Sequence, residues 1–77
     1  MEYDGKRLMY SIKLELHLET HHIPHKEAYR KLNISKQLFR QLLQGKHEPR
    51  AGIIAKVKRE FNLDFVPEDF IKLWELK

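Results

Sequence analysis

Residues 10–18 alternate without a fault. Tyr10, Ile12, Leu14, Leu16 and Leu18 are apolar, and Ser11, Lys13, Glu15 and His17 between them are polar. That is the period of a half-buried strand. Yet Tyr10, Leu14 and Leu18 also fall at i, i+4 and i+8, and Lys, Leu and Glu are residue types that favour helix. The first segment, about residues 6–19, therefore carries two readings at once. The rest of the chain is less divided. After a break at residues 20–23, Pro24 suits the first turn of a helix through His-Lys-Glu-Ala-Tyr-Arg-Lys-Leu, with Ala28, Tyr29 and Leu32 on its inner side. Asn33 and Ile34 make a turn, and Ser35 is a natural N-cap whose hydroxyl can meet the N–H of Gln37 or Leu38.

Residues 36–44 show the sharpest patterning. At about 100° per residue, Lys36, Gln37, Arg40, Gln41 and Gln44 fill one arc of the helix, and Leu38, Phe39, Leu42 and Leu43 fill the other. Gly45 supplies a C-terminal stop. A loop through Lys46, His47 and Glu48 reaches Pro49 and a fourth helix, about residues 50–61, that buries Ile53, Ile54, Val57 and Phe61. Asn62 is its expected left-handed C-terminal residue. A fifth helix is expected from Pro67, with Glu68 and Asp69 at the positive end of its dipole. Phe70, Ile71, Leu73, Trp74 and Leu76 follow, a heavy apolar load for so short an element.

Seventy-seven residues form one domain, residues 1–77, near the lower size at which a single core holds without staples. No cysteine is present, so disulfides, thiolate metal sites and cysteine nucleophiles are excluded. No apolar run is long enough to span a bilayer and no signal-peptide block opens the chain, so the expected compartment is cytoplasmic. The net charge of +4 is uneven. Residues 26–59 hold ten Lys or Arg against two acids, a local net of +8, whereas the first 25 residues come to −1 and the last 18 to −3. A concentrated positive field suits a polyanion, because each phosphate neutralised releases condensed counterions.

A short helix, a three-residue turn and a second helix with a polar outward arc make a helix-turn-helix unit. The second helix of such a unit is narrow enough for the major groove, where Lys and Arg suit guanine O6/N7 and Gln suits adenine N6/N7. The arc of residues 36–44 offers that inventory without an acid. A merely solvated surface would mix in Glu for i,i+4 pairing. The stretch Ile23–Pro49 resembles the lambda-repressor-like (Cro and phage repressor) helix-turn-helix domains, with Leu32, Ile34, Ser35, Phe39, Leu42, Gly45 and Pro49 at that family's hydrophobic, cap, glycine and proline positions. Ile54, Val57, Phe61, Asn62 and Leu63 extend the likeness, which covers about residues 8–65.

Departures from the pattern are informative. Tyr29 stands where the family usually has Ala, with Ala28 one place earlier, and Asn33 stands at the turn glycine. His25 replaces a Gln that often meets phosphate. The family's Arg in helix one and Glu late in helix three are here Leu18 and Leu43. Losing both partners of a buried ion pair together can be neutral, whereas losing one is costly. That joint replacement makes sense only if Leu18 sits on a helix facing Leu43, which decides residues 6–19 in favour of helix. The expectation is thus an all-α, compact five-helix bundle with helices two and three as the helix-turn-helix. A ribbon-helix-helix binder with residues 10–18 as a strand is the weaker alternative.

The resemblance implies sequence-specific binding to double-stranded operator DNA, commonly as a homodimer, by a phage or mobile-element switch regulator. Carried over by position, Lys36, Gln37, Arg40 and Gln41 would read bases. His25, Lys26, Gln44, Lys46 and His47 would meet phosphate. Phe65, Phe70, Ile71 and Trp74 either close the core of a small domain or form in part a dimer or partner surface, as aromatic anchors often do; with more apolar groups than one short helix can turn inward, a shared role is expected. Because the C-terminal third is acidic and aromatic, a modulator or antirepressor that docks on a repressor or other protein is the rival reading. The five histidines include i,i+4 pairs at His17/His21 and His21/His25, but Pro24 interrupts the second pair, and neither cysteine nor enough nearby carboxylate completes a site. No metal, no cofactor and no catalytic group is expected.

Overall fold

The computed structural model describes residues 6–72. Helix α1 spans Met9–Thr20, α2 His25–Lys31, α3 Lys36–Gln44 and α4 Ala51–Phe61, followed by a 3-10 turn at Pro67–Phe70. No strand occurs among the described residues, so the fold is all-α.

The four-residue spacing wins in α1. Tyr10, Ser11, Leu14 and Leu18 are buried, while Ile12 and Leu16, the other members of the alternating set, are 38 % and 60 % exposed. A strand over residues 10–18, and with it the ribbon-helix-helix alternative, is ruled out. Leu18 and Leu43 are both buried in one core, and α1 packs on α3. Apolar residues in place of an ion pair leave no charge to desolvate there.

Left-handed residues stop each helix. His22, Asn33, Gly45 and Asn62 have φ of 54°, 55°, 63° and 54°. After α1, Ile23 N–H donates to Leu18 O at 2.8 Å and His22 N–H to Glu19 O at 3.2 Å. After α2 the same closure recurs, Ile34 N–H to Tyr29 O at 3.1 Å and Asn33 N–H to Arg30 O at 3.0 Å. These paired bonds satisfy carbonyls that a helix end would otherwise orphan. At the start of α3 the Ser35 hydroxyl accepts from Leu38 N–H at 3.0 Å, the cap expected there.

The core gathers Leu8, Tyr10, Leu14, Leu18, Ala28, Leu32, Phe39, Leu42, Leu43, Val57 and Phe61 from all four helices and the residue before α1. Ile53 and Ile54 are half-buried rather than fully enclosed. A close contact locks α1 to the end of α3. Leu8 N–H donates to Gly45 O at 2.7 Å, and buried Ser11 lies directly against the Gly45 Cα.

The expected fifth α-helix is, over the described residues, a single tight turn. Asp69 Oδ2 accepts from Val66 N–H at 2.8 Å and from Lys13 Nζ at 2.9 Å, and Ile71 is already extended with φ −86° and ψ 133°. The carboxylate thus caps its own turn while binding α1, and Phe70 covers Tyr10 at a ring separation of 5.7 Å. One turn meets all three contacts. Leu73, Trp74 and Leu76, also expected in this helix, lie outside the described residues.

Candidate nucleic-acid interface

Helix α3 is two-faced. Phe39, Leu42 and Leu43 point into the core and Leu38 is half-buried, whereas Lys36, Gln37, Arg40, Gln41 and Gln44 are all exposed. Nine residues at 1.5 Å rise give a rod of about 14 Å whose outer stripe holds only amides and cations. No carboxylate among the described residues pairs with Lys36 or Arg40. Three other surface cations are paired with acids: Lys58 lies 3.2 Å from Asp64, Arg59 3.1 Å from Glu60 and Arg7 3.1 Å from Glu15.

Helix α2 flanks the N-terminal half of α3. The His25 ring meets the Phe39 ring edge-on at 5.4 Å, with Tyr29 at 6.0 Å from the same ring. Tyr29, where the family pattern has a small residue, is accommodated by lying half-buried over Phe39, while Ala28 takes the fully buried place. His25 and Lys26 are exposed at the start of α2.

Beyond the C-terminal half of α3, Gln41, Gln44, Lys46, His47, Glu48 and Arg50 line a groove of about 670 Å³. Its loop is fixed from below, because Tyr10 Oη donates to His47 O at 2.8 Å. Burial pushes the Tyr10 phenol up to about 12, against a smaller downward pull from Arg7, so the donor stays protonated well beyond neutrality. Helix α4 starts at this groove with no side-chain cap and no acid in its first turn. Its uncapped N–H groups and the positive end of its dipole thus border the groove. Gly52 leaves that turn bare, and a Cβ there would meet nothing within 4 Å.

Of the expected positions, Lys36, Gln37, Arg40, Gln41 and Gln44 are exposed on α3, and Gln41, Gln44, Lys46 and His47 share one groove, whereas Lys26 lines a separate recess with Pro24, Glu27, Arg30 and Lys31, and the His25 ring lies on Phe39. Arg50 and the bare first turn of α4 were missed at the level of sequence. The available signal was the lack of Ser, Thr, Asp or Asn before Ala51. Of the candidate partner surface, Phe65 and Phe70 pack against Tyr10 at 6.0 Å and 5.7 Å and against each other at 5.9 Å, inside the domain's own packing. Ile71 is exposed, and Trp74 lies outside the described residues.

The histidine pair on α1 has a different character. The His17 and His21 rings stand 4.3 Å apart, with Phe61 5.7 Å from His17. Desolvation, and then the neighbouring His21, lower the His17 pKa. Among the described residues no three His, Asp or Glu come together in a way that could hold a metal ion. No helix among them is long and apolar enough to cross a membrane. Protein-family models, curated proteins and solved structures yield no match to this chain.

Proposed function

We propose that this chain is a sequence-specific DNA-binding transcriptional regulator of the lambda-repressor-like kind. Helices α2 and α3 act as the helix-turn-helix, and α3 reads operator DNA in the major groove. One observation carries the reading: the whole outward stripe of α3, Lys36, Gln37, Arg40, Gln41 and Gln44, is exposed, amide and cationic, and its two cations pair with no carboxylate among the described residues. Lys36, Gln37, Arg40 and Gln41 reach base edges. His25, Lys26, Gln44, Lys46 and His47, joined by Arg50, meet the phosphates on either side. The resemblance adds a homodimer on DNA and a phage or mobile-element switch as the biological context. Docking onto a repressor is the less favoured reading, because Phe65 and Phe70, two of its aromatic anchors, are occupied against Tyr10.

Fluorescence anisotropy with a duplex selected from a random pool tests the assignment. Arg40→Ala should cost about 1–3 kcal/mol on the selected duplex and little on a scrambled one. Lys46→Ala should weaken both alike and reduce the salt slope by about one. An unchanged ratio between selected and scrambled duplex for Arg40→Ala would remove α3 from base reading.

A further inference from the structure

The last turn of α1 and its C-cap carry two histidines, His17 and His21, four residues apart on one face. Their ring centroids stand 4.3 Å apart, with 41° between the planes. Phe61 of α4 braces the His17 ring at 5.7 Å, whereas His21 is exposed and has room to turn. Neither imidazole makes a hydrogen bond or an ion pair among the described residues. The ring nitrogens of both residues are therefore left available on a single helical turn.

We propose that His17 and His21 together bind a divalent transition-metal ion, copper(II) in preference to zinc(II), with water filling the remaining positions. The ring separation selects the ion. A metal–imidazole bond of about 2.0 Å sets each ring centroid about 3.2 Å from the metal. Two rings at a right angle around one ion then stand about 4.5 Å apart, and at the tetrahedral angle of zinc about 5.2 Å apart. The observed 4.3 Å matches the right angle, and tetragonal coordination by nitrogen and oxygen is the geometry of copper(II). Copper(II) also stands at the top of the affinity order for such ligands. A small rotation of the exposed His21 ring brings one nitrogen from each residue onto a common point.

The location suits a cation. The carbonyl end of α1 is the negative end of its dipole, and Glu19 in the same turn is exposed and in no ion pair among the described residues. Of the cations nearby, Lys13, one turn earlier, is bound to Asp69 at 2.9 Å, and Lys31 lies over the Phe61 ring at 6.0 Å. Among the described residues no third His, Asp or Glu joins the pair, so the site is open to water and its affinity is modest. Chelation across one turn ties His17 to the residue that caps α1. An ion held by the folded chain in this way stabilises it by mass action.

Substoichiometric copper(II) chloride added to the 15N-labelled full chain tests the site, because the unpaired electron broadens nearby amide signals. Broadening should centre on residues 17–22, reach residues 59–63 beside Phe61, and reverse with excess EDTA. Thermal melts supply a second readout. Copper(II) at about 1 mM should raise the melting temperature of the wild type by about 3–8 °C, and zinc(II) at the same concentration should raise it less. His17→Gln and His21→Gln should each keep the helical circular dichroism and lose the rise. His22→Asn, in which asparagine suits the left-handed backbone, should keep it. Broadening centred on His25 or His47 with residues 17 and 21 still sharp, or a rise that survives both His17→Gln and His21→Gln, would overturn the site. A zinc(II) shift as large as that of copper(II) would overturn the choice of ion. Neither histidine is among the proposed DNA contacts, so these outcomes stand apart from that reading.

Discussion

Replacing Gly45 by alanine should loosen the joint between α1 and α3, and the cost can be built from two terms. Gly45 sits at φ +63°, where a side chain is strained by about 1–2 kcal/mol. The added Cβ would also fall onto Ser11 Oγ, 2.7 Å from Ser11 Cβ and 3.3 Å from the Leu8 nitrogen. Ser11 cannot yield cheaply. It is fully buried, its hydroxyl donates to Leu8 O at 3.0 Å, and Arg7 Nε donates to that hydroxyl at 3.2 Å. Forcing atoms into such a site costs about 1–3 kcal/mol more. The sum, about 2–5 kcal/mol, is a large share of the roughly 4–12 kcal/mol expected for a domain of this size. Urea unfolding followed by circular dichroism should show that loss, with a fall in Tm of at least about 10 °C. Ser11→Gly removes the atoms that the new methyl strikes, so the double mutant should recover the packing term but not the backbone term. A coupling of about 1 kcal/mol or more between positions 11 and 45 is predicted. A loss below about 1 kcal/mol for Gly45→Ala, or purely additive single mutants, would refute the reasoning.

Gly52→Ala should raise stability by about 0.5–1 kcal/mol, because nothing crowds the new methyl, yet weaken duplex binding if phosphate approaches the bare first turn of α4; equal affinity for the two proteins would remove that turn from the interface. Tyr10→Phe should cost about 1–2 kcal/mol by orphaning His47 O and should speed amide exchange in residues 46–49. The wild-type phenol should titrate near 12; because the unfolded chain loses its proton first, this contribution to stability is present below pH 10 and lost as pH rises toward 12. His17 shifts the other way. Its depressed pKa means the unfolded chain binds the proton more readily, so stability is present above about pH 6.5 and falls as pH drops through the lower folded value. Thermal melts between pH 7.5 and 5 should decline, and His17→Gln should flatten the decline; an identical pH profile for the variant would sink this assignment.

The two faces of α3 were legible because one amphipathic helix with a serine cap and a glycine stop leaves few ways to fold and only one way to orient. Asn33 and Asn62 were legible as left-handed stops for a similar local reason. The first helix was harder. Its apolar residues lie on two opposite sides, so their alternation imitates a strand, and only pairing Leu18 with Leu43 separated the readings. Local signals also identify which residues are apolar without naming what they meet. Phe65 and Phe70 were therefore expected to divide between core and partner surface without a named contact, and Tyr10, more than fifty positions away, turns out to hold both rings. The Ser11–Gly45 contact and the Lys13–Asp69 pair are invisible in sequence for the same reason. His22 gave little warning, since it follows His21 in a polar break with no glycine or asparagine to mark the left-handed residue.

Amide chemical shifts of the 15N-labelled protein during titration with a selected duplex test the central claim most directly. The predicted outcome is perturbation concentrated on residues 36–44, with flanking changes at 25–26 and 46–52, and near silence along Met9, Ile12 and Leu16. Perturbations centred on α1, or no change in α3 at saturating duplex, would contradict the account.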